Sequence, residues 1–187
     1  MSCDDLGVDG QRFWELVEAA RAEVDDTVAD PDGVADALGD ALGKLPADEI
    51  VGFGAEFERL QAEAYRWDLW GAAYLINGGA SDDGFDYFRG WLVAQGQEIW
   101  EAALADPDSL ADVVDEDLGE DFEGFDGEGM LGVAVSAYES ATGSEAGYWE
   151  AVGTEVPDVP AGQNFDFDDT DELRDRFPRL AALFLTD

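Results

Sequence analysis

Apolar positions along the chain recur at helical spacing almost throughout. Phe13, Leu16, Val17, Ala20 and Val24 fall on one stripe, with Asp9 or Gly10 placed to open the helix. Asp30 followed by Pro31 marks a second start. Val34, Ala37, Leu38 and Ala41 form its inner face, and Gly43 and Pro46 punctuate its end. The clearest stripe follows a candidate N-cap at Asp48, where Ile50, Phe53, Phe57, Leu60, Ala64 and Trp67 step by 3, 4, 3, 4 and 3 residues. It is too short for a coiled coil and suits packing against one other helix. Leu69, Ala72, Ala73 and Ile76 carry the pattern on to Asn77-Gly78-Gly79, residues that tolerate left-handed backbone.

Ser81 or Asp82 then caps a long helix bearing Phe85, Phe88, Leu92, Ile99 and Ala103, weakened in its middle by Gly96 and ended by Asp106-Pro107-Asp108. Residues 112–129, DVVDEDLGEDFEGFDGEG, turn acidic and glycine-bearing and read as a mobile loop with a helical turn at 118–122. Met130, Val133, Ala134, Ala137 and Tyr138 recover a helix that Gly143 stops. Residues 153–169, with Pro157, Pro160 and Gly162, form an extended connection. Asp171 caps a last helical stretch through Leu173, Phe177, Leu180, Ala181 and Phe184, kinked or restarted at Pro178. No run of β-branched residues alternates with period two. The pattern predicts an all-α fold, one domain over 1–187 with about seven helices, an acidic loop and an extended segment before the C-terminal helix.

Composition adds the surface to this picture. The 187 residues carry 46 Asp plus Glu against 9 Lys plus Arg, a net charge of −37, yet 12% are aromatic. A disordered acidic tail would lack those aromatics, so the chain is a folded globule with an acidic skin. Such a skin repels phosphate backbones and anionic headgroups, so nucleic acid and membrane surfaces are excluded as partners. It also repels itself at low salt, favouring a monomer there. Molar salt screens charges within about 3 Å, which fits adaptation to a salty cytosol; an acidic protein of a GC-rich actinobacterial genome is the blander source. A basic protein is the partner such a surface invites.

The absent residue types narrow the chemistry. There is no His, which removes an imidazole base, an imidazole metal ligand and a Ser-His-Asp triad. Cys3 is the single cysteine, so an internal disulfide, a CxxC pair and a cysteine-ligated zinc site are excluded as well. The first residues show neither a basic n-region nor a long apolar run, so a cytoplasmic location is expected. The acidic stretches depart from a calcium loop. In DEDLGEDFEGFD, Asp115 and Asp117 match the first ligand positions and Gly119 does not; in DFDDTDELRDRF, Asp171 stands where the turn glycine belongs. No catalytic residue, metal site or cofactor is expected.

One block differs from the rest. Residues 65–91, YRWDLWGAAYLINGGASDDGFDYFRGW, hold eight aromatics with Arg66 and Arg89, and several lie off the apolar stripes. In one reading Trp67, Trp70, Phe85, Phe88 and Trp91 are core, with Arg66 and Arg89 paired to Asp68, Asp82, Asp83 or Asp86 to pin the turn. In the other, the turn at 78–84 is a working surface, with Arg66, Asp68, Trp70, Tyr74, Ser81, Asp82, Asp83 and Arg89 as its binding residues. Asp82 and Asp83 could attract Mg²⁺, but adjacent acids at a helix start are explained by capping and the helix dipole.

The blocks RFWELVEAAR (12–21), YRWDLWGAAYLINGG (65–79), SDDGFDYFRGWLVAQG (81–96), ALADPDSLA (103–111) and RFPRLAALF (176–184) resemble the DUF4240 family of small bacterial proteins. The resemblance is best over 11–111, loose over 112–170, and resumes in the C-terminal helix, 171–187. The family carries no established activity, so no catalytic residue is transferred. The expected function is a non-enzymatic interaction module working around the 78–84 turn. The alternative is a small-ligand binder or enzyme using Asp, Arg and Tyr groups, with Mg²⁺ as candidate ion.

Overall fold

The computed structural model describes residues 8–114, 124–153 and 157–185, and within them the chain is all-α. Cys3, the helical turn expected at 118–122 and residues 115–123 of the calcium-loop comparison at 115–126 lie outside the described residues. The helices are α1 (Gly10–Arg21), α2 (Pro31–Leu42), α3 (Ala47–Glu63), α4 (Trp67–Ile76) and α5 (Asp82–Ala94). Then come α6 (Gln97–Ala105), a 3₁₀ segment (Pro107–Asp112), α7 (Glu128–Thr142), α8 (Tyr148–Val152), α9 (Thr170–Arg176) and α10 (Pro178–Phe184). No helix among the described residues is long and apolar enough to cross a membrane.

The starts follow local chemistry. Asp9 accepts from the Arg12 N–H, Asp30 from the Gly33 N–H and Ser81 from the Gly84 N–H, each satisfying a donor that the first turn leaves unpaired. Two starts are corrected. α3 begins after Pro46, with Asp48 and Glu49 in its first turn rather than Asp48 as cap. α9 is capped two residues earlier than Asp171, by Asp169, whose carboxylate accepts from the N–H groups of Asp171 and Glu172.

Two expected continuous helices are divided. The stripe through Trp67 stops at Ala64, because Arg66 turns extended and pairs with Ala161 of a later segment. The long helix through Gly96 breaks there at φ +89°, where a Cβ would also run into the Glu18 and Arg21 side chains. Gly96 therefore ends a helix rather than weakening one.

α7 packs on α2, α5 and α3 through Met130, Val133, Ala134 and Ala137, its buried face. Phe13 stacks on Phe53 at 4.4 Å between centroids, and Trp91 lies 4.7 Å from Phe125, all four fully buried. Phe125 belongs to the stretch expected as a mobile loop. Instead Asn77 grips its backbone, accepting from the Phe125 N–H at 2.9 Å and donating to its carbonyl at 3.4 Å, while the Gly127 N–H donates to the Tyr87 carbonyl. Asn77 itself is right-handed; the left-handed turn is carried by Gly78 and Gly79.

Candidate functional site

The 65–91 block is stitched to the chain beyond it. The Trp67 N–H donates to the Ala161 carbonyl at 3.0 Å, and the Ala161 N–H donates to the Tyr65 carbonyl at 2.8 Å. This short bridge lays residues 161–168 across α4. Phe167 packs against Trp67, Trp70 and Tyr74, and Trp70 stacks between Trp67 and Phe85 at 5.5 and 4.9 Å.

Four of the candidate residues are engaged in this stitching. Arg66 forks onto the Asp68 carboxylate at 3.0 and 2.6 Å and donates its remaining Nη1 to the Leu104 carbonyl. The Trp70 indole donates to the Ala80 carbonyl at 3.0 Å, and the Tyr74 hydroxyl donates to Asp168 at 2.7 Å. That hydrogen bond holds the Tyr74 phenol above its ordinary range, so it remains a donor. Ser81, Asp82 and Asp83 are exposed in and before the first turn of α5, where Ser81 is the cap. Among the described residues no three acidic or cysteine side chains gather as a metal site would need.

Arg89 stands apart from the other seven. It leaves α5 toward α3, is only 6% exposed, and lines a half-enclosed cavity of about 210 Å³ with Glu58, Gln61 and Asp86. Phe57, Leu131 and the rim residue Trp149 supply its apolar walls. The guanidinium donates from Nη1 to the Gln61 carbonyl at 2.5 Å and from Nη2 to the Asp86 carboxylate. The Tyr65 and Phe85 rings lie 5.0 Å from it, adding cation–π attraction. Of the four carboxylates offered to the two arginines inside the block, Asp68 pairs with Arg66 and Asp86 with Arg89.

The polar groups of this cavity do not all balance. Arg89 Nε and Gln61 Nε2 are buried donors without an acceptor. Burial pulls the Arg89 guanidinium below its ordinary range, with Asp86 pulling back. Burial pushes the Glu58 carboxyl above the usual carboxylate range, against Arg89 and with Asp86. A site of this kind can hold a ligand that offers an acceptor to the donors and a positive group to the carboxylates.

The sequence model of DUF4240, described as a protein of unknown function, matches residues 8–140. The chain belongs to the DUF4240 family. The match runs past 111 to take in most of α7, the helix against which α2, α3 and α5 pack, and stops before RFPRLAALF at 176–184. No curated protein and no solved structure matches the chain. Four cavity residues, Glu58, Gln61, Asp86 and Arg89, lie within the DUF4240 match, whereas Trp149 lies beyond it. Glu58, Gln61, Leu131 and Trp149 escape a reading of the 65–91 block, because they meet Arg89 only through the packing of α3, α7 and α8 on α5 and each other.

Proposed function

We propose that the protein is a non-catalytic binding module that takes a small ligand in the cavity between α3 and α5. The observation that carries this reading is the pair of buried donors without acceptors, Arg89 Nε and Gln61 Nε2, on two side chains that line one cavity. An unsatisfied buried donor costs roughly 1–3 kcal/mol, so a ligand oxygen is what the site lacks. The working region thus moves from the 78–84 turn to the far end of the same block, at Arg89. The polar groups of Arg66, Asp68, Trp70 and Tyr74 are already spent on internal bonds.

The test is a thermal-shift panel of amino acids, sugars, nucleotides and divalent ions at low and molar KCl. A compound acting in the cavity raises the midpoint beyond the salt effect, and substitution of Ala62, which also lines the cavity, by Leu (Ala62→Leu) abolishes that rise by filling the space. A panel in which only salt moves the midpoint removes the reading.

Trp149, 55% exposed on the cavity rim, favours a second reading in which the same face docks a basic protein partner. We also place the protein in the cytoplasm of a salt-accumulating cell. The net charge of −37 and the single cysteine support that placement.

A further inference from the structure

The cavity described above has two poles, and their positions narrow the ligand. Arg89 Nε and Gln61 Nε2 need an oxygen acceptor. The Glu58 carboxylate makes no side-chain hydrogen bond among the described residues and forms the other pole, while the half-exposed Asp86 is already paired with Arg89 Nη2. Glu58 and Gln61 stand three residues apart on α3, side chains about 5–6 Å apart at their roots. Between and beside the poles lie the apolar surfaces of Phe57, Leu131 and Trp149.

Resting on the binding reading above, we infer that this cavity takes a free α-amino acid with a small to medium apolar side chain. A carboxylate and an ammonium on one carbon, each extended by one hydrogen bond, span poles one helical turn apart. The carboxylate meets Arg89 and Gln61, the ammonium meets Glu58, and the side chain lies on Phe57, Leu131 and the Trp149 indole.

Competing chemistries fit less well. A simple anion would face Glu58 and Asp86 and cross the field of a chain at −37. A simple cation would leave both orphan donors unpaired beside the charged Arg89. A zwitterion carries no net charge into that field and answers both poles. The volume, about 210 Å³, is small and suits a ligand of amino-acid size better than a nucleotide or a disaccharide.

Arg89 is held ready for this role. Its Nη groups are fixed by Gln61 O and Asp86, and the Tyr65 and Phe85 rings lie 5.0 Å from it. Both orphan atoms are closed off from solvent, so engagement requires a small adjustment of the side chains that carry them. The adjustment is expected to reach Trp149 and change its emission.

The experiment titrates the full chain with the proteinogenic amino acids, following melting midpoint and Trp emission. It then deletes one pole at a time: L-leucine against 4-methylpentanoate, which lacks the ammonium, and against 3-methylbutylamine, which lacks the carboxylate. An apolar amino acid should bind, each one-pole analogue should bind about tenfold or more weakly, and Glu58→Gln should weaken the amino acid while sparing 4-methylpentanoate. Ala62→Leu should abolish binding in a chain that melts as the parent does, and Trp149→Phe should remove the emission change.

A one-pole analogue that binds as well as L-leucine overturns the amino-acid class and leaves the binding reading standing. So does a compound of another class that binds in an Ala62-sensitive way while no amino acid does. If no compound binds, or binding survives Ala62→Leu, both fall.

Discussion

The tip of the Phe165 ring occupies the place that a Cβ on Gly71 would take. Gly71 is a buried position in the middle of α4, and Phe165 belongs to the segment that the Ala161 bridge lays over that helix. Arg176 closes the other side, its guanidinium 4.1 Å from the Phe165 centroid. Glycine in mid-helix costs about 1 kcal/mol relative to alanine, and here the close approach of a ring is what it permits.

Gly71→Ala therefore sets helix propensity against overpacking, and overpacking prevails. We expect a loss of about 1–3 kcal/mol in urea unfolding. Phe165→Ala in the Gly71→Ala background should cost less than the sum of the two single changes, because the overlap is then absent. Additive losses would mean that the two residues do not share one space.

Asp108 argues a second prediction. Its buried carboxylate accepts from the backbone N–H groups of Arg179 and Leu180 at 3.0–3.1 Å, so it caps α10 from the 3₁₀ segment some seventy residues earlier. Pro178 opens α10, and the residue before it, Phe177, supplies no side-chain cap. Asp108→Ala should cost about 1–3 kcal/mol and Asp108→Asn less, since the amide keeps one acceptor. Equal losses for the two variants would show that the carboxylate is not acting as a cap.

That same contact marks where the sequence could be read and where it could not. Caps at Asp9, Asp30 and Ser81 are legible because each acceptor lies three residues from its donor. The breaks at Tyr65 and Gly96 are not, because apolar spacing runs straight through both. One is imposed by Ala161, the other by Glu18 and Arg21. Helix α8 is five residues between two left-handed glycines, too short for a periodic signal. That Arg66 and Arg89 pair with carboxylates of the block is legible, though not which of the four each takes, and Arg89 stands among the sequence candidates. Nothing local shows that Arg89 would face Gln61 rather than Asp82 and Asp83. The direction is set by α3, against which α5 lies, and by the burial of Phe85 and Phe88 on the neighbouring positions.

The surface charge makes a third prediction. With 46 acidic side chains against 9 basic ones, the folded chain concentrates repulsion that unfolding relieves. Raising KCl from about 0.1 to about 1 M shortens the screening length from about 10 to about 3 Å. The melting midpoint should therefore climb through that range, with KCl and NaCl acting alike. A midpoint that is flat or falling with salt would show that repulsion is not what limits this fold.

The last prediction concerns Glu58, where stability and binding pull in opposite directions. Burial raises its carboxyl above the ordinary range; Arg89 partly counters this, and Asp86 adds to it. Tyr148, raised by its own burial and by Glu58, stays neutral across the same pH range. The folded chain thus holds a proton on Glu58 more tightly than the unfolded chain does. The stabilisation from that proton is full below the ordinary carboxylate range and is lost as pH rises through the folded value. Gln at this position stays neutral at every pH. Glu58→Gln should accordingly melt above the parent at neutral pH and level with it near about pH 4, where both side chains are uncharged. Thermal unfolding of the two chains over that range measures the difference directly. A parent more stable than the variant at neutral pH would mean that Arg89 outweighs burial and that Glu58 serves the fold. The expected result leaves the fold without a use for the charge, as is common for residues kept for binding. The same substitution is predicted to weaken the amino acid, so one variant gaining stability and losing binding would tie Glu58 to the ligand rather than to the core.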